Sequence, residues 1–220
     1  MAPEQDSPNS ERSRPTSAAF FDLDRTLLSG ASGPILGEAL RHVGLLTTST
    51  GPLESLAFGL FNAIGETWPS MLLTRQGARA ARGWSVDLVG AAAERAAGPL
   101  AEAVLPYAQQ LIAEHKSQGR ALVLATTTPE DLIRPLAEAL GFDDVVATRY
   151  GRRAGHYDGT IDGEFVWGKG KARAVAQWAF SRRIDLDASY AYSDSYYDVP
   201  LLSIVGYPRA VNPDPRMMAV

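Results

Sequence analysis

A chain of 220 residues with 45% hydrophobic composition has enough apolar material for one core domain and a smaller appendage. Its net charge of −4 excludes the global positive field that attracts nucleic acid, so no nucleic-acid partner is expected. The absence of cysteine excludes a disulfide framework, a thiolate metal site and a thiolate nucleophile, and suits the reducing cytoplasm, the compartment expected here.

Residues 1–17, MAPEQDSPNSERSRPTS, lack an apolar run and read as a disordered leader rather than a secretory signal. The strand AAFF (18–21) follows and runs straight into Asp22 and Asp24. A long Ala- and Leu-rich helical region extends from about Pro34 to Lys116, with breakers near Gly51, Trp68-Pro69, Gly83 and Gly98-Pro99. Its most apolar part, 51–65, is interrupted by Glu54, Asn62 and glycines and is too short to span a bilayer. The strand period returns in ALVLA (121–125), closed by TTTP. Pro129 is expected at the first position of a helix that ends at Leu140, capped by Thr128. VVAT (145–148) is a third strand, and 150–163 reads as a hairpin with Asp-Gly turns at 158–159 and 162–163. GKARAVAQWAFSRR is a helix, SYAYS (189–193) a strand, and a short helix from about Tyr197 precedes a last strand near Pro208 to Val211. The closing NPDPRMMAV breaks off as a helix starts, as though the chain continued.

Strands alternating with helices predict an α/β fold with a doubly wound parallel sheet. The helical block inserted after the first strand then forms a cap over residues 31–106, leaving 18–30 and 107–220 as the core.

Two carboxylates at a strand end are costly to bury unless a counter-charge is present, because each raises the other's pKa. In a doubly wound sheet the carboxyl ends of the strands line one crevice. This chain directs Asp22 and Asp24, then Thr126, Thr127 and Thr128, then Asp194 and Asp198 to those ends, with Lys171 opening a helix between them. Acids, hydroxyls and a lysine converging there fit a divalent cation and a phosphoryl group.

These motifs resemble those of the haloacid-dehalogenase superfamily phosphatases, in the phosphoserine-phosphatase-like branch with a helical cap. Asp22-Leu-Asp24-Arg25-Thr26 is similar to the family's DxDxT, Thr126 stands at the second motif, Lys171 at the third, and Asp194-Ser-Tyr-Tyr-Asp198 at the fourth. All four occur in family order. The resemblance implies an Mg2+-dependent phosphomonoesterase acting on a small phosphate monoester. Asp22 would be the nucleophile that forms an aspartyl-phosphate, and Asp24 the general acid and base. Asp22, Asp194 and the Asp24 carbonyl would hold Mg2+, Thr126 and Thr127 with Lys171 the phosphate, and Asp198 the lysine or the metal shell. Lys169 is a rival to Lys171, and a helix-dipole role competes for Asp198. Dehalogenase chemistry is disfavoured because those relatives lack the second aspartate, here Asp24.

The cap offers Leu56, Phe58, Leu60, Phe61 and Ile64 beside Arg75, Arg79 and Arg82, which fall on one helical face. An apolar surface next to a basic stripe suits an anionic amphiphile, a lysophospholipid or phospholipid head-group phosphate, or contact with a membrane surface. The competing interpretation is a packed cap with a solvated basic face. Phosphoserine-specific members carry a glutamate where this chain has Ala31, with Glu38 the nearest replacement. Phosphoserine hydrolysis and a non-catalytic phospholigand-binding module are therefore the alternatives. Arg25 replaces a small residue and either adds charge at the site mouth or points away. The glycine-lysine stretch 163–169 imitates a nucleotide-binding loop, but Gly170 stands where a metal-binding hydroxyl belongs. His42, His115 and His156 lack metal-ligand spacing and read as surface or structural groups. The oligomeric state is open.

Overall fold

The computed structural model describes residues 15–46 and 76–219. Their six strands form one sheet in the order β4-β3-β2-β1-β5-β6. These are β1 (Ala18–Phe21), β2 (Ala121–Pro129), β3 (Asp144–Arg153), β4 (His156–Asp162), β5 (Tyr190–Ser193) and β6 (Tyr207–Ala210). All pairings are parallel except β3 with β4, so the doubly wound α/β architecture holds. The helices are α1 (Gly33–His42), α2 (Val86–Glu102), α3 (Pro106–Ser117), α4 (Glu130–Ala139), α5 (Lys169–Arg182) and the single turn α6 (Val199–Leu202).

β1 is central, which explains why its sequence is apolar throughout rather than alternating. Ala19 and Phe21 join Leu122, Leu124, Ile133 and Leu136 on one face, while Ala18 and Phe20 join Val123, Val175 and Trp178 on the other. Phe20 meets Trp178 edge to face at 5.6 Å. Truncating Phe21 to alanine in this packing costs about 3–5 kcal/mol. Because β2 and β5 flank β1 in parallel register, the residues after Phe21, Leu124 and Tyr192 emerge together at one edge of the sheet.

Four local expectations are corrected. Gly98-Pro99 does not break a helix: α2 runs through Pro99 to Glu102, because its buried stripe of Val89, Ala92, Ala96 and Leu100 continues past the proline. β2 extends to Pro129, held by pairing of Pro129 with Thr148, so the helix begins at Glu130 and Thr128 is not its cap. The hairpin turns at Ala154-Gly155, whose φ values of 50° and 76° fit a two-residue turn that needs both residues left-handed; Asp158-Gly159 lies within β4. Finally, residues 16–17 of the expected leader are anchored, since Thr16 and Ser17 carbonyls accept from Asp185 and Ala121. Residues 1–14 of the leader and cap residues 47–75, including the apolar segment and Arg75, lie outside the described residues.

α1 and α2 lie within the predicted cap and share the Phe21 cluster through Leu36, Leu40, Val89 and Leu100. Two isolated bridges, Leu28 with Val104 and Ser85 with His156, pin this insertion to the core. Among the described residues no helix is long and apolar enough to cross a membrane.

Candidate active site

Asp22 follows β1 directly, and its N–H makes the last ladder bond, 3.0 Å to the Tyr192 carbonyl. Beyond it the chain makes one wide turn, closed by the Leu28 N–H donating to the Leu23 carbonyl at 3.0 Å. Leu23 and Leu27 are buried, so the residues between them stay at the sheet edge.

The centre of the site is Lys171. It is 0% exposed, and its Nζ donates 2.8 Å to Asp22 Oδ1 and 2.6 Å to Asp198 Oδ2. Ser193 Oγ also donates to Asp198 Oδ2, at 2.8 Å, which fixes that carboxylate. A lone buried lysine would lose its proton to escape the desolvation penalty; two carboxylates make the charged form the favourable one. Lys169 is exposed, so burial selects Lys171 between the two. Gly170 allows the approach, because a Cβ there would lie 2.2 Å from the Phe165 carbonyl oxygen.

Asp24 Oδ1 accepts from the Ser32 N–H at 2.6 Å. Burial raises its pKa above the ordinary value of 3.8, opposed by the Ser32 bonds and the charge of Lys171. A carboxyl that keeps its proton above the usual range is suited to donate one. Asp194 leaves the end of β5 and meets two groups from the β1 turn: Arg25 Nε at 3.1 Å from Oδ2, and Thr26 Oγ1, which donates at 3.4 Å to Oδ1. Arg25 therefore points into the site.

The threonines divide their work. Thr126 Oγ1 accepts from the Thr128 N–H at 3.2 Å, whereas Thr127 Oγ1 is buried with no hydrogen-bond partner in the protein. Asp198 Oδ1 is likewise buried and unpartnered. Such orphaned atoms are rare in native interiors.

Two bonded sets therefore lie at the sheet edge, Asp22–Lys171–Asp198 and Arg25–Asp194–Thr26, with Asp24 held by Ser32 and within the field of Lys171. Arg79 lines a groove of about 790 Å3 with Gln76, Thr160, Trp167, Gly170 and Arg173. Arg82 does not share its face, because the helix holding residues 76–80 ends before it; its side chain lies beside Gly159. Unanticipated were Ser193, Ser32, Tyr107 and Asn212. The last two act on the β1 turn from sequence separations of 81 and 187, and no local signal marks them.

The residues fit a hard divalent cation. Four carboxyls, those of Asp22, Asp24, Asp194 and Asp198, face the two cations Lys171 and Arg25, leaving an excess of negative charge and only oxygen donors. Among the described residues no three His, Cys, Asp or Glu side chains form a ligand cluster, so an ion here would draw on two carboxylates, Asp22 and Asp194, plus main-chain oxygen.

A largely parallel α/β sheet with acids, hydroxyls and a buried lysine at its carboxyl edge forms a crevice of the kind where such sheets bind ligands. The haloacid dehalogenase-like hydrolase family model matches residues 19–203, and the chain belongs to that family. It is 36% identical over 207 residues to the "Inhibition of morphological differentiation protein" of Streptomyces azureus, covering 92% of this chain and 74% of that one. It is 35% identical over 210 residues to phosphoserine phosphatase SerB1 of Mycobacterium tuberculosis, covering 93% and 68%. A crystal structure of a Bordetella pertussis protein of unknown function superposes with a TM-score of 0.76 at 28% identity, over 93% and 94% of the two chains. A substrate-bound phosphoserine phosphatase shares the fold, with a TM-score of 0.63 at 16% identity over 94% and 91%.

Proposed function

We propose that this hydrolase is a phosphatase that cleaves small phosphate monoesters through a phosphorylated Asp22, with residues 31–106 as a substrate-facing cap. The supporting observation is the fully buried Lys171 joining Asp22 to Asp198. That geometry holds a carboxylate ionised and fixed at a strand end, as a nucleophile requires.

In the first step an Asp22 carboxylate oxygen attacks phosphorus while the bond from phosphorus to the ester oxygen breaks. Asp24 gives its proton to the departing alkoxide. In the second step water attacks the same phosphorus, Asp24 takes the proton, and inorganic phosphate leaves as the Asp22 carboxylate is restored. Lys171 offsets charge on the nucleophile and phosphoryl oxygens, and the unpartnered Thr127 hydroxyl is a donor for one of them. Asp22, Asp194 and the Asp24 carbonyl would hold Mg2+, which when bound supplies Lewis-acid stabilisation of phosphoryl charge. Asp198 orients Lys171 through Oδ2, which accepts from Lys171 and Ser193, and its place at the start of α6 is compatible with a helix-dipole role beside this one.

Leaving-group selection belongs to the cap in this proposal, and the groove that Arg79 lines together with Trp167 and Gly170, the neighbour of Lys171 in sequence, offers a cation to an anionic or amphiphilic substrate such as a lysophospholipid phosphate. Membrane contact through the cap belongs to the same proposal, as does a cytoplasmic location. Phosphoserine is the second reading, favoured by the identity to SerB1. Ala31 cannot supply a carboxylate for its amino group, and Glu38 is exposed on α1. Purified protein is expected to release phosphate from para-nitrophenyl phosphate with Mg2+ and to stop on addition of EDTA. A panel of phosphoserine, lysophosphatidate and phosphatidylglycerophosphate then ranks the leaving groups. No turnover across that panel, despite tight phosphate-ester binding, sinks the catalytic proposal in favour of a binding module.

A further inference from the structure

Arg25 sits between Asp24 and Thr26 with φ 59° and ψ −3°, a left-handed conformation that a residue with a Cβ adopts reluctantly. Glycine or asparagine would enter it more readily. The strain is held by bonds from three directions. Arg25 N–H donates 3.2 Å to the Gly30 carbonyl. The Arg25 carbonyl accepts from Asn212 Nδ2 at 3.0 Å, and the same amide donates to Tyr107 Oη at 3.1 Å. Tyr107 in turn donates to the Thr26 carbonyl at 2.5 Å. Two consecutive carbonyls of the turn are thus gripped from α3 and from the end of β6. Asn212 is itself left-handed, φ 48°, and the chain on either side is tied to the end of β5 and the residue after it, with Val211 N–H on Ser193 O at 3.0 Å and Asp214 N–H on Asp194 O at 2.8 Å.

This clamp delivers the Arg25 guanidinium to Asp194. The Arg25 side chain is 19% exposed and that of Asp194 5%, so solvent screens the pair weakly. A guanidinium keeps its charge at any working pH. We infer that Arg25 is an internal counter-ion on Asp194, positioned by Asn212 and Tyr107, that lowers the affinity of this chain for its divalent cation. The inference rests on the metal reading of the site proposed above. An ion at Oδ2 of Asp194 shares or displaces Nε, and one at Oδ1 still approaches a fixed positive charge. Arg25 also preorients the carboxylate, which would favour binding. That contribution is the smaller, because Thr26 Oγ1 also holds the Asp194 carboxylate and the Asp214 N–H holds its carbonyl.

Mn2+ binding to the whole, metal-stripped protein, read by electron paramagnetic resonance of the free ion, tests this without any substrate. Arg25→Ala and Arg25→Gln are expected to bind Mn2+ about tenfold more tightly than wild type. Asn212→Ala, which loosens the clamp but keeps the charge, is expected to shift in the same direction by about threefold. Circular dichroism shows whether each variant is folded, and Arg25→Gln stands if Arg25→Ala does not. Equal or weaker Mn2+ binding in the folded Arg25 variants overturns the inference while leaving the metal site intact. Failure of wild type and variants alike to bind Mn2+ overturns the metal reading and the inference with it. Tighter binding without phosphatase activity supports the inference and counts against the catalytic proposal alone.

Discussion

Lys171 and His115 are both basic and both withdrawn from water, at 0% and 1% exposure, yet their surroundings differ. Lys171 lies between Asp22 and Asp198 at the carboxyl edge of the sheet. His115, from α3, lies against the sheet face among Phe21, Tyr190 and Tyr192. Its Nε2 is 2.8 Å from the Tyr192 hydroxyl and its Nδ1 is 3.0 Å from Arg120 Nη1. Because Arg120 can only donate, Nδ1 is the acceptor and the ring proton sits on Nε2. Burial, then the charge of Arg120, lowers the His115 pKa to about 4. Tyr190 stacks on Tyr207 at 4.5 Å and carries Arg120 over its ring, also at 4.5 Å. One region therefore keeps a buried base charged by surrounding it with acids, and the other keeps it neutral with aromatics and a cation. Burial alone does not mark a reactive group; the sign of its neighbours does.

The comparison breaks most decisively at Asp22. Asp22→Asn is expected to fold and to lose phosphate release by on the order of 10^4-fold or more, measured with para-nitrophenyl phosphate. Retained turnover would mean that the Lys171 region is only structural. Next is Lys171→Met, which leaves Asp22 and Asp198 buried without their cation. Urea unfolding is expected to show a loss of about 3–5 kcal/mol, alongside loss of activity. A variant as stable as wild type would show that the two acids had found other partners.

Asp24→Asn sharpens the contrast by leaving group. Turnover of an alkyl phosphate is expected to drop by about 10^2 to 10^4-fold, and that of an aryl phosphate by less, since a good leaving group needs little protonation. An equal loss on both substrates would argue against Asp24 as the acid. The smallest effect on activity belongs to His115. Its folded-state pKa of about 4 lies below the ordinary 6.5, so the unfolded chain takes up the proton first. The corresponding stability is complete above about pH 6.5 and is lost as pH falls toward 4. In His115→Gln, unfolding free energy measured across that window is expected to lose up to one proton's slope, about 1.4 kcal/mol per pH unit. An unchanged slope would place the acid sensitivity elsewhere, and activity at pH 7 per folded molecule is expected to stay near wild type.

Much of the site is legible along the chain because the information is local. Each motif residue follows an apolar run or opens a helix: Asp22 after AAFF, Thr126 after ALVLA, Asp194 after SYAYS, and Lys171 at the start of α5. The misread boundaries are those where pairing or packing overrides local preference, as at Pro99 inside α2 and Pro129 inside β2. The basic stripe fails at Arg82 for the converse reason: helical spacing holds only while the helix lasts, and this one ends too early.

Sequence by itself determined the order of strands and helices, the acids and lysine at the sheet edge, and the kinship with haloacid dehalogenase-like hydrolases, since each is carried by residues within a few positions of one another. Tertiary structure alone decided that Lys171 bridges Asp22 and Asp198, that Arg25 turns in to Asp194, that Asn212 holds the turn from 187 residues away, and that His115 stays neutral. Charge state and side-chain direction depend on what lies within a few ångströms in space, and distant segments meet there only once the strands have paired.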